Sequence, residues 1–230
     1  MDQSANAIIS ASALKRTFGS GARTVTVLRH LSLSIAPGRL VALKGRSGSG
    51  KTTLINLLSG LDQPDAGEVW FDGELLTSMT GKQRDKVRRR KMGLVFQSFA
   101  LLPLMSAYEN VDFVLRVAGV PAEARATAAL DALEQVGLSN RIHHRPYELS
   151  GGEQQRTAIA RAIAHKPKLL LADEPTAELD SRTGLQMLRL FRQLIQSTGM
   201  TIVMSTHDPA IMDIVDDVYE LEDGEIVDAR

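Results

Sequence analysis

The chain has 230 residues, 43% of them hydrophobic, which is enough apolar side chain to bury the core of one large domain. Lys plus Arg and Asp plus Glu number 27 each, so overall charge provides no general attraction to nucleic acid or to an anionic membrane. Cysteine is absent, which excludes disulfides and cysteine-ligated zinc.

The N-terminal residues 1–9 contain neither a basic segment nor a long apolar segment, so we expect no secretory signal. No stretch approaches the ~20 apolar residues that a membrane span needs. There is also no internal repeat and no Pro- or Ser-rich linker. We therefore predict a single domain over residues 1–230, and any action at a membrane would require another subunit to span it.

A phosphate-binding loop follows the first strong strand candidate, residues 40–43. It consists of Gly45, Arg46, Ser47, Gly48, Ser49, Gly50, Lys51 and Thr52, with Thr53 next to it. The glycines let backbone N–H groups converge on phosphate oxygens, Lys51 supplies positive charge for the β- and γ-phosphates, and Thr52 supplies a hydroxyl for Mg²⁺. The sequence thus predicts a nucleoside triphosphate site at the N-terminus of a helix that ends near Gly60.

Short apolar strands alternate with helical patterns along the rest of the chain. Hairpins are predicted over residues 68–75, turning at Asp72-Gly73, and over 218–227, turning at Asp223-Gly224. The remaining strand candidates are residues 93–96, 169–172 and 201–205. This alternation predicts an α/β fold with a mostly parallel sheet and antiparallel β ribbons.

Only helical patterns occur between residues 99 and 167, including an amphipathic stretch over 122–136. We predict an inserted α-helical subdomain over about residues 98–167. The basic run over residues 84–91 precedes this region. It is predicted to be a solvated helix face, with a nucleic-acid patch as the weaker alternative.

A second glycine motif opens the helical pattern that ends before Pro167. It consists of Ser150, Gly151, Gly152 and Glu153. Ser150 and Glu153 fit a capping box, and this structural role explains both residues. It leaves the glycines unexplained, because glycine in a helix costs about 1 kcal/mol relative to alanine. Uncovered N–H groups at a helix N-terminus bind anions, which gives the glycines a functional reason.

Two adjacent carboxylates, Asp173 and Glu174, follow the strand candidate at residues 169–172. Successive strand residues point in opposite directions, so the two carboxylates can serve different partners. One can order the water shell of a bound Mg²⁺, while the other polarises the water that attacks the γ-phosphate.

These three motifs, in this order, resemble the ATP-binding-cassette (ABC) ATPases, and the resemblance covers nearly the whole chain. It implies a P-loop NTPase core, ATP and Mg²⁺, and a homodimer in which the phosphate loop of one copy faces the Ser150 helix of the other. By position it adds four residues: Phe18 for adenine stacking, Gln97 in the Q-loop, Asp180 in the D-loop and the switch histidine His207.

The resemblance also implies roles for these residues. The catalytic group comprises Lys51, Gln97, Glu174 and His207, and the Mg²⁺ ligands are Thr52, Gln97 and Asp173. Residues 150–153, called the signature motif below, would reach the nucleotide of the partner copy. Two residues depart from the usual family pattern: Glu153 replaces a glutamine, and Glu178 lies where a small residue or Asn is usual.

Residues 96–103, followed by Glu109-Asn110-Val111, are most similar to the macrolide-export (MacB), lipoprotein-release (LolD) and cell-division (FtsE) branch. This implies an ATPase subunit at the cytoplasmic face of the cell membrane that drives an integral membrane permease, with no nucleic-acid partner. The alternative is a regulatory ATPase that moves no solute.

The apolar loop over residues 99–105, with Leu101, Leu102 and Leu104, is the predicted docking surface for the permease, and a loop packed on its own domain is the alternative.

Overall fold

The computed structural model describes residues 6–208, 211–212 and 214–230. Residues 1–5, which belong to the segment 1–9 for which we expect no secretory signal, lie outside the described part. Among the residues that the structure describes, no helix combines the length and the hydropathy that a membrane span requires.

A six-stranded, mainly parallel sheet carries the phosphate loop. Its spatial order is β10-β9-β3-β8-β7-β6, with only β9 and β10 antiparallel to each other. The strands are β3 (Leu40–Lys44), β6 (Met92–Val95), β7 (Leu169–Ala172), β8 (Thr201–Thr206), β9 (Asp217–Glu222) and β10 (Glu225–Ala229). The predicted α/β class, the four buried strands and the hairpin near the C-terminal end are confirmed.

A four-stranded antiparallel sheet packs beside it in the order β2-β1-β4-β5. Its strands are β1 (Ile9–Phe18), β2 (Val25–Ile35), β4 (Ala66–Phe71) and β5 (Glu74–Leu75). The hairpin predicted over residues 68–75 is present, but the main partner of β4 is β1, whose Ile9 pairs with Phe71. Strands β1 and β2 were not predicted, so the antiparallel layer is larger than the two predicted hairpins indicated.

Six helices connect the strands in the described part of the chain. They are α1 (Lys51–Leu58), α2 (Gly81–Lys91), α3 (Ala107–Ala118), α4 (Ala122–Gln135), α5 (Gly151–Ile163) and α6 (Ser181–Thr198). Helices α3, α4 and α5 occupy the interval between β6 and β7, where the helical insertion was predicted. The limits of that insertion stay a prediction.

The basic run over residues 84–91 forms the C-terminal part of helix α2 and is only partly a solvated face. Arg84 donates to the carbonyl of Met79, Arg88 donates to the carbonyl of Gly60, and Lys91 donates to Asp72.

Alternating side chains of the parallel strands enter two separate cores. Leu169 and Leu171 of β7 pack with the antiparallel sheet and α1, whereas Leu170 and Ala172 pack with helices α3 to α6. All four are fully buried, as expected for a strand covered on both faces. The two cores fix the sheet from both sides, so its carboxyl edge forms a rigid base for the loops after β3, β7 and β8.

Candidate active site

The phosphate loop joins β3 to α1 and leaves the N-terminus of α1 uncovered. Gly50 is the N-cap residue, has a φ of 104°, and provides no side-chain cap. A Cβ at Gly50 would lie 2.8 Å from Leu28 Cδ2 and 3.2 Å from the Val27 carbonyl oxygen. Glycine is therefore required both by backbone conformation and by the closeness of β2. The first-turn N–H groups remain available for an anion.

Lys51 is buried beneath this loop, with only 5% of its side chain exposed. Its Nζ donates to the carbonyls of Gly45 at 2.8 Å and Arg46 at 3.0 Å, and lies 3.6 Å from Glu174 Oε1. The ammonium group is thus fixed between the loop and the carboxylate. A cavity of about 570 Å³ opens in front of residues 45–49 and reaches His207.

Two features of the loop fit a phosphate group. The Ser49 hydroxyl is buried without a hydrogen-bond partner in the described structure, so a donor is available inside the loop. A Cβ at Gly45 would come within 2.5 Å of both Ser49 Oγ and the Leu221 carbonyl oxygen, so only glycine fits this position. Of the other predicted ATP-binding residues, Arg46, Ser47, Gly48 and Thr52 are exposed and Thr53 is half-buried.

The carboxylates after β7 are held by a residue that the sequence analysis missed. Ser205 of β8 donates to Asp173 Oδ1 at 2.6 Å and accepts from the backbone N–H of Glu174 at 2.8 Å. Glu174 has a φ of 45°, a left-handed conformation that a non-glycine residue adopts only when its surroundings impose it. Ser205 is therefore a positioning residue for both carboxylates.

Gln155 supports the same turn from the opposite side. Its side chain is fully buried on α5, and Nε2 donates to the Pro175 carbonyl at 2.7 Å, while Oε1 has no partner in the described structure. This bond joins the helix that begins at the signature motif to the residue after Glu174. It, too, was absent from the sequence predictions.

The structure brings Lys51, Glu174 and His207 together. Nδ1 of His207 lies 3.6 Å from Glu174 Oε2, and 64% of the histidine side chain is exposed. The two oxygens of Glu174 therefore face a lysine on one side and a histidine on the other. Gln97 lies beyond the end of β6 and is exposed, but it does not line the phosphate-loop cavity, so its place in the site stays a prediction.

The predicted Mg²⁺ ligands Thr52, Gln97 and Asp173 are a hydroxyl, an amide and a carboxylate. The described residues contain no group of three or more His, Cys, Asp or Glu side chains able to hold a metal by themselves. Mg²⁺ is usually held by one or two protein oxygens together with waters and substrate phosphates. The donor set fits that requirement.

Phe18 and Asp180, the adenine-stacking and D-loop residues assigned by resemblance, make contacts outside the phosphate-loop cavity. Phe18 is 43% exposed, does not line the phosphate-loop cavity, and stacks under the Arg16 guanidinium at 4.7 Å. Asp180 is the N-cap of α6 and accepts hydrogen bonds from the N–H groups of Arg182 and Thr183. Bonds from the Thr183 side chain and backbone lower the pKa of Asp180. The adenine-stacking and D-loop roles stay predictions.

The signature motif forms the predicted capping box at the N-terminus of α5. A Cβ at Gly152 would lie 2.9 Å from Thr183 Cγ2, whereas one at Gly151 would meet nothing within 4 Å. Packing therefore explains Gly152 and leaves Gly151 unexplained. None of the four residues lines the cavity at the phosphate loop of the same chain.

The sequence profile of the ABC transporter family matches residues 28–177 of this chain. The chain belongs to the ABC transporter family. This ABC cassette is 46% identical over 215 residues to the macrolide export ATP-binding/permease protein MacB of Syntrophobacter fumaroxidans, which covers 93% of this chain and 30% of that protein. It is 43% identical over 224 residues to the lipoprotein-releasing system ATP-binding protein LolD of Pseudomonas fluorescens, with coverage of 97% and 99%.

A solved structure is similar over nearly the same length. The ATP-binding cassette MJ0796, in a dimeric post-hydrolysis state bound to ADP and Pi, superposes with a TM-score of 0.89 at 37% identity, covering 96% of this chain and 97% of that chain. The predicted family, fold and ATPase activity are confirmed. This ABC cassette is an ATP-binding, ATP-hydrolysing subunit of the type found in MacB and LolD.

Proposed function

We propose that this cassette pairs head-to-tail on ATP and Mg²⁺ and drives a separate integral membrane permease of the export or mechanical-coupling type, from the cytoplasmic face of the cell membrane. One observation carries the pairing. The signature motif starts an exposed helix N-terminus yet contributes nothing to the cavity at the phosphate loop of its own chain. A second copy would complete each site, in keeping with the dimeric state of MJ0796.

Hydrolysis in this arrangement depends on positioning and charge. Lys51 and the loop amides would bind the β- and γ-phosphates, and Thr52, Gln97 and Asp173 would hold Mg²⁺. The metal would supply charge neutralisation on the phosphate oxygens. Glu174 would accept the proton of the attacking water as its oxygen bonds to phosphorus and the bond to ADP breaks.

His207 lies on the opposite side of Glu174 from Lys51 and would contact the γ-phosphate.

An apolar groove supports the docking of a permease. A cavity of about 400 Å³ lies between α2, the end of β6 and α3, and its walls include Phe96, Leu102 and Phe113. Leu104, in the neighbouring loop, is 83% exposed. Asn110, itself fully buried, holds this loop through bonds to the N–H and carbonyl of Leu102. Asn110 also donates to the carbonyl of Met105, so the loop is fixed on both sides of the exposed Leu104 side chain.

The loop is also tied to α5. Arg161 donates to the carbonyl oxygens of Phe99, at 2.8 Å, and Ala100. Those two residues have φ values of 56° and 48°, so consecutive left-handed residues direct their carbonyls toward the arginine. The docking surface and the signature motif thus belong to one connected unit.

The variant Glu174→Gln tests the pairing and the chemistry together. It should bind ATP, accumulate as a dimer, and lose turnover by roughly 10²- to 10⁴-fold, the usual contribution of a positioned base. Sedimentation velocity with and without MgATP measures the dimer, and phosphate release measures turnover. Wild-type turnover in this variant, or efficient hydrolysis by a wild-type monomer, would refute the mechanism.

Leu104→Asp tests the docking surface with little risk to the fold, because the side chain is already exposed. Basal ATPase activity should be unchanged, while co-purification of a membrane partner from detergent extracts should be lost. Val227→Asp, an exposed apolar residue on β10, is the matched control. Recovery of a substrate-binding permease with the wild type supports transport, whereas recovery of a division complex would favour the regulatory alternative.

A further inference from the structure

The capping carboxylate of the signature motif is paired with an arginine from outside the motif. Glu153 Oε2 accepts from the backbone N–H and from the hydroxyl of Ser150, both at 2.9 Å. Its other oxygen, Oε1, accepts from Arg141 Nε at 2.8 Å. Arg141 lies in the short 3-10 turn Ser139–Arg141 that follows α4. One oxygen of the carboxylate therefore serves the motif, and the other serves the arginine.

Glu153 brings a full negative charge to this helix end. The Ser150 N–H, followed by Arg141, lowers the pKa of Glu153 to about 2, so the group is ionised at every physiological pH. A carboxylate in the first turn is stabilised by the partial positive charge of the helix N-terminus. The same charge attracts the triphosphate that the proposed dimer would place here. Two anions would therefore compete for one helix end.

We propose that Arg141 is a positioning residue for ATP-driven pairing: it offsets the charge of Glu153 and fixes that carboxylate against Ser150, which lets the N-terminus of α5 accept the triphosphate bound by the other copy. This inference rests on the head-to-tail dimer of the proposed function. Without Arg141, the carboxylate would keep its bonds from Ser150 but lose the partner of Oε1, and its unpaired charge would oppose the incoming phosphates. Glutamine at position 153 could fill the capping role without that charge.

The test uses a thermodynamic cycle in the Glu174→Gln protein, which is expected to form a stable ATP-bound dimer. Arg141→Gln should raise the ATP-dependent dimer dissociation constant about tenfold. The reason is that the negative charge of Glu153 would then repel the nearby triphosphate without a neighbouring positive charge to offset it. The double variant Arg141→Gln with Glu153→Gln should have a dimer dissociation constant within about threefold of that of the Glu153→Gln single variant. Arg116→Gln is the matched control, since Arg116 pairs with Asp112 on α3, and among the described residues it has no hydrogen bond or ion pair with the motif.

Two further measurements separate charge from structure. The defect of Arg141→Gln should shrink when salt rises from about 0.1 M to about 0.5 M, because screening weakens the repulsion. Arg141→Lys keeps the charge and should dimerise within about threefold of the parent even if Arg141→Gln lowers the thermal midpoint. A loss in Arg141→Lys as large as in Arg141→Gln would overturn the proposal.

The cycle also distinguishes the two levels of proposal. If the Glu174→Gln parent fails to dimerise with MgATP, the head-to-tail mechanism is wrong and this inference falls with it. If the parent dimerises but Arg141→Gln matches the Arg116→Gln control, or the double variant is not rescued, only the role of Arg141 is wrong.

Discussion

Helices α1 and α5 both begin at glycine-containing motifs, but only the N-terminus of α5 is capped by side chains. The N-cap of α1 is Gly50, which provides no side-chain hydrogen bond, and the first turn of α1 contains no acidic residue. The N-cap of α5 is Ser150, which forms a complete capping box with Glu153. The first end is left open for a ligand, whereas the second is stabilised by its own side chains.

This difference matches two modes of phosphate binding. An uncapped end costs the free protein stability, since its N–H groups have no protein partner, and it offers them to the nucleotide of its own chain. A capped end keeps α5 stable in the free subunit, and in the proposed dimer it would have to rearrange or share its donors with the nucleotide of the second copy. We therefore expect changes at α1 to affect nucleotide binding and changes at α5 to affect pairing.

Gly50→Ala should have the largest effect, because it closes the open end. A methyl group would collide with Leu28, and alanine would have to adopt the φ of 104° that this position requires, which it rarely does. We expect ATP affinity to fall by at least about 100-fold, measured with a fluorescent nucleotide, since misplaced loop amides lose several hydrogen bonds. Gly38→Ala is the control, because Gly38 also has a positive φ, of 72°, but an added methyl there would meet nothing within 4 Å. Equal losses in both variants would indicate general destabilisation.

Ser205→Ala tests whether Ser205 positions the carboxylates after β7 without contributing to ATP binding. It removes both the donor to Asp173 and the acceptor for the Glu174 N–H, so Glu174, the proposed base, loses its fixed place. We expect kcat to fall roughly tenfold with the KM for ATP changed less than about threefold. Ser205→Thr retains the hydroxyl on a β-strand and should restore kcat. A change in KM alone would contradict the positioning role.

Gly151→Ala should stabilise the free subunit while weakening the dimer. Its added methyl meets nothing, and alanine is favoured over glycine in a helix by up to about 1 kcal/mol. The thermal midpoint should thus rise by a few degrees, while the ATP-dependent dimer constant worsens about fivefold because the methyl covers first-turn amides. Gly152→Ala, which crowds Thr183, should lower the midpoint instead. A rise in midpoint without loss of pairing would leave Gly151 with no functional role.

The smallest effect is the pH dependence of the cap on α5. The pKa of Glu153 is lowered from 4.5 to about 2, so its stabilisation is complete above about pH 4.5 and is lost as pH falls toward 2. The difference in unfolding free energy between the wild type and Glu153→Gln should decrease by about 1 kcal/mol between pH 5 and pH 3. Urea unfolding at each pH measures it. A constant difference would show that the carboxylate gains nothing from Ser150 and Arg141.

The buried parallel strands were predictable because they are short, apolar and covered on both faces. The prediction for β7 matches its limits, those for β3 and β8 are one residue short at the C-terminal end, and that for β6 is displaced by one residue at both ends. Strand β1 was missed because register shifts break its alternation, and Ala13 within it has a φ of 49°. The second half of β2 did carry a usable signal, since Leu31, Leu33 and Ile35 are buried with serines between them.

The residues of the candidate site also divide into those that the sequence could predict and those that it could not. Lys51, Glu174 and His207 were predictable because each follows directly on a strand or belongs to a spaced motif, and the structure places them together. Ser205 and Gln155 were not, because their partners lie 32 and 20 positions away and meet them only through sheet adjacency and helix packing. The signal available for Ser205 was a polar residue in a mainly apolar strand, whereas Gln155 lies among other polar residues and had no such signal.

The bonds from Arg161 to the carbonyls of residues 99 and 100 have a mechanical consequence. Arg161 lies two residues from the C-terminal end of α5, and Ser150 is at its N-terminus. The whole helix of 13 residues is about 20 Å long. A ligand that displaces the apolar loop must either break those bonds or carry the helix with it. In the proposed dimer, helix α5 would therefore transmit a displacement of the loop at one end to the triphosphate of the second copy at the other.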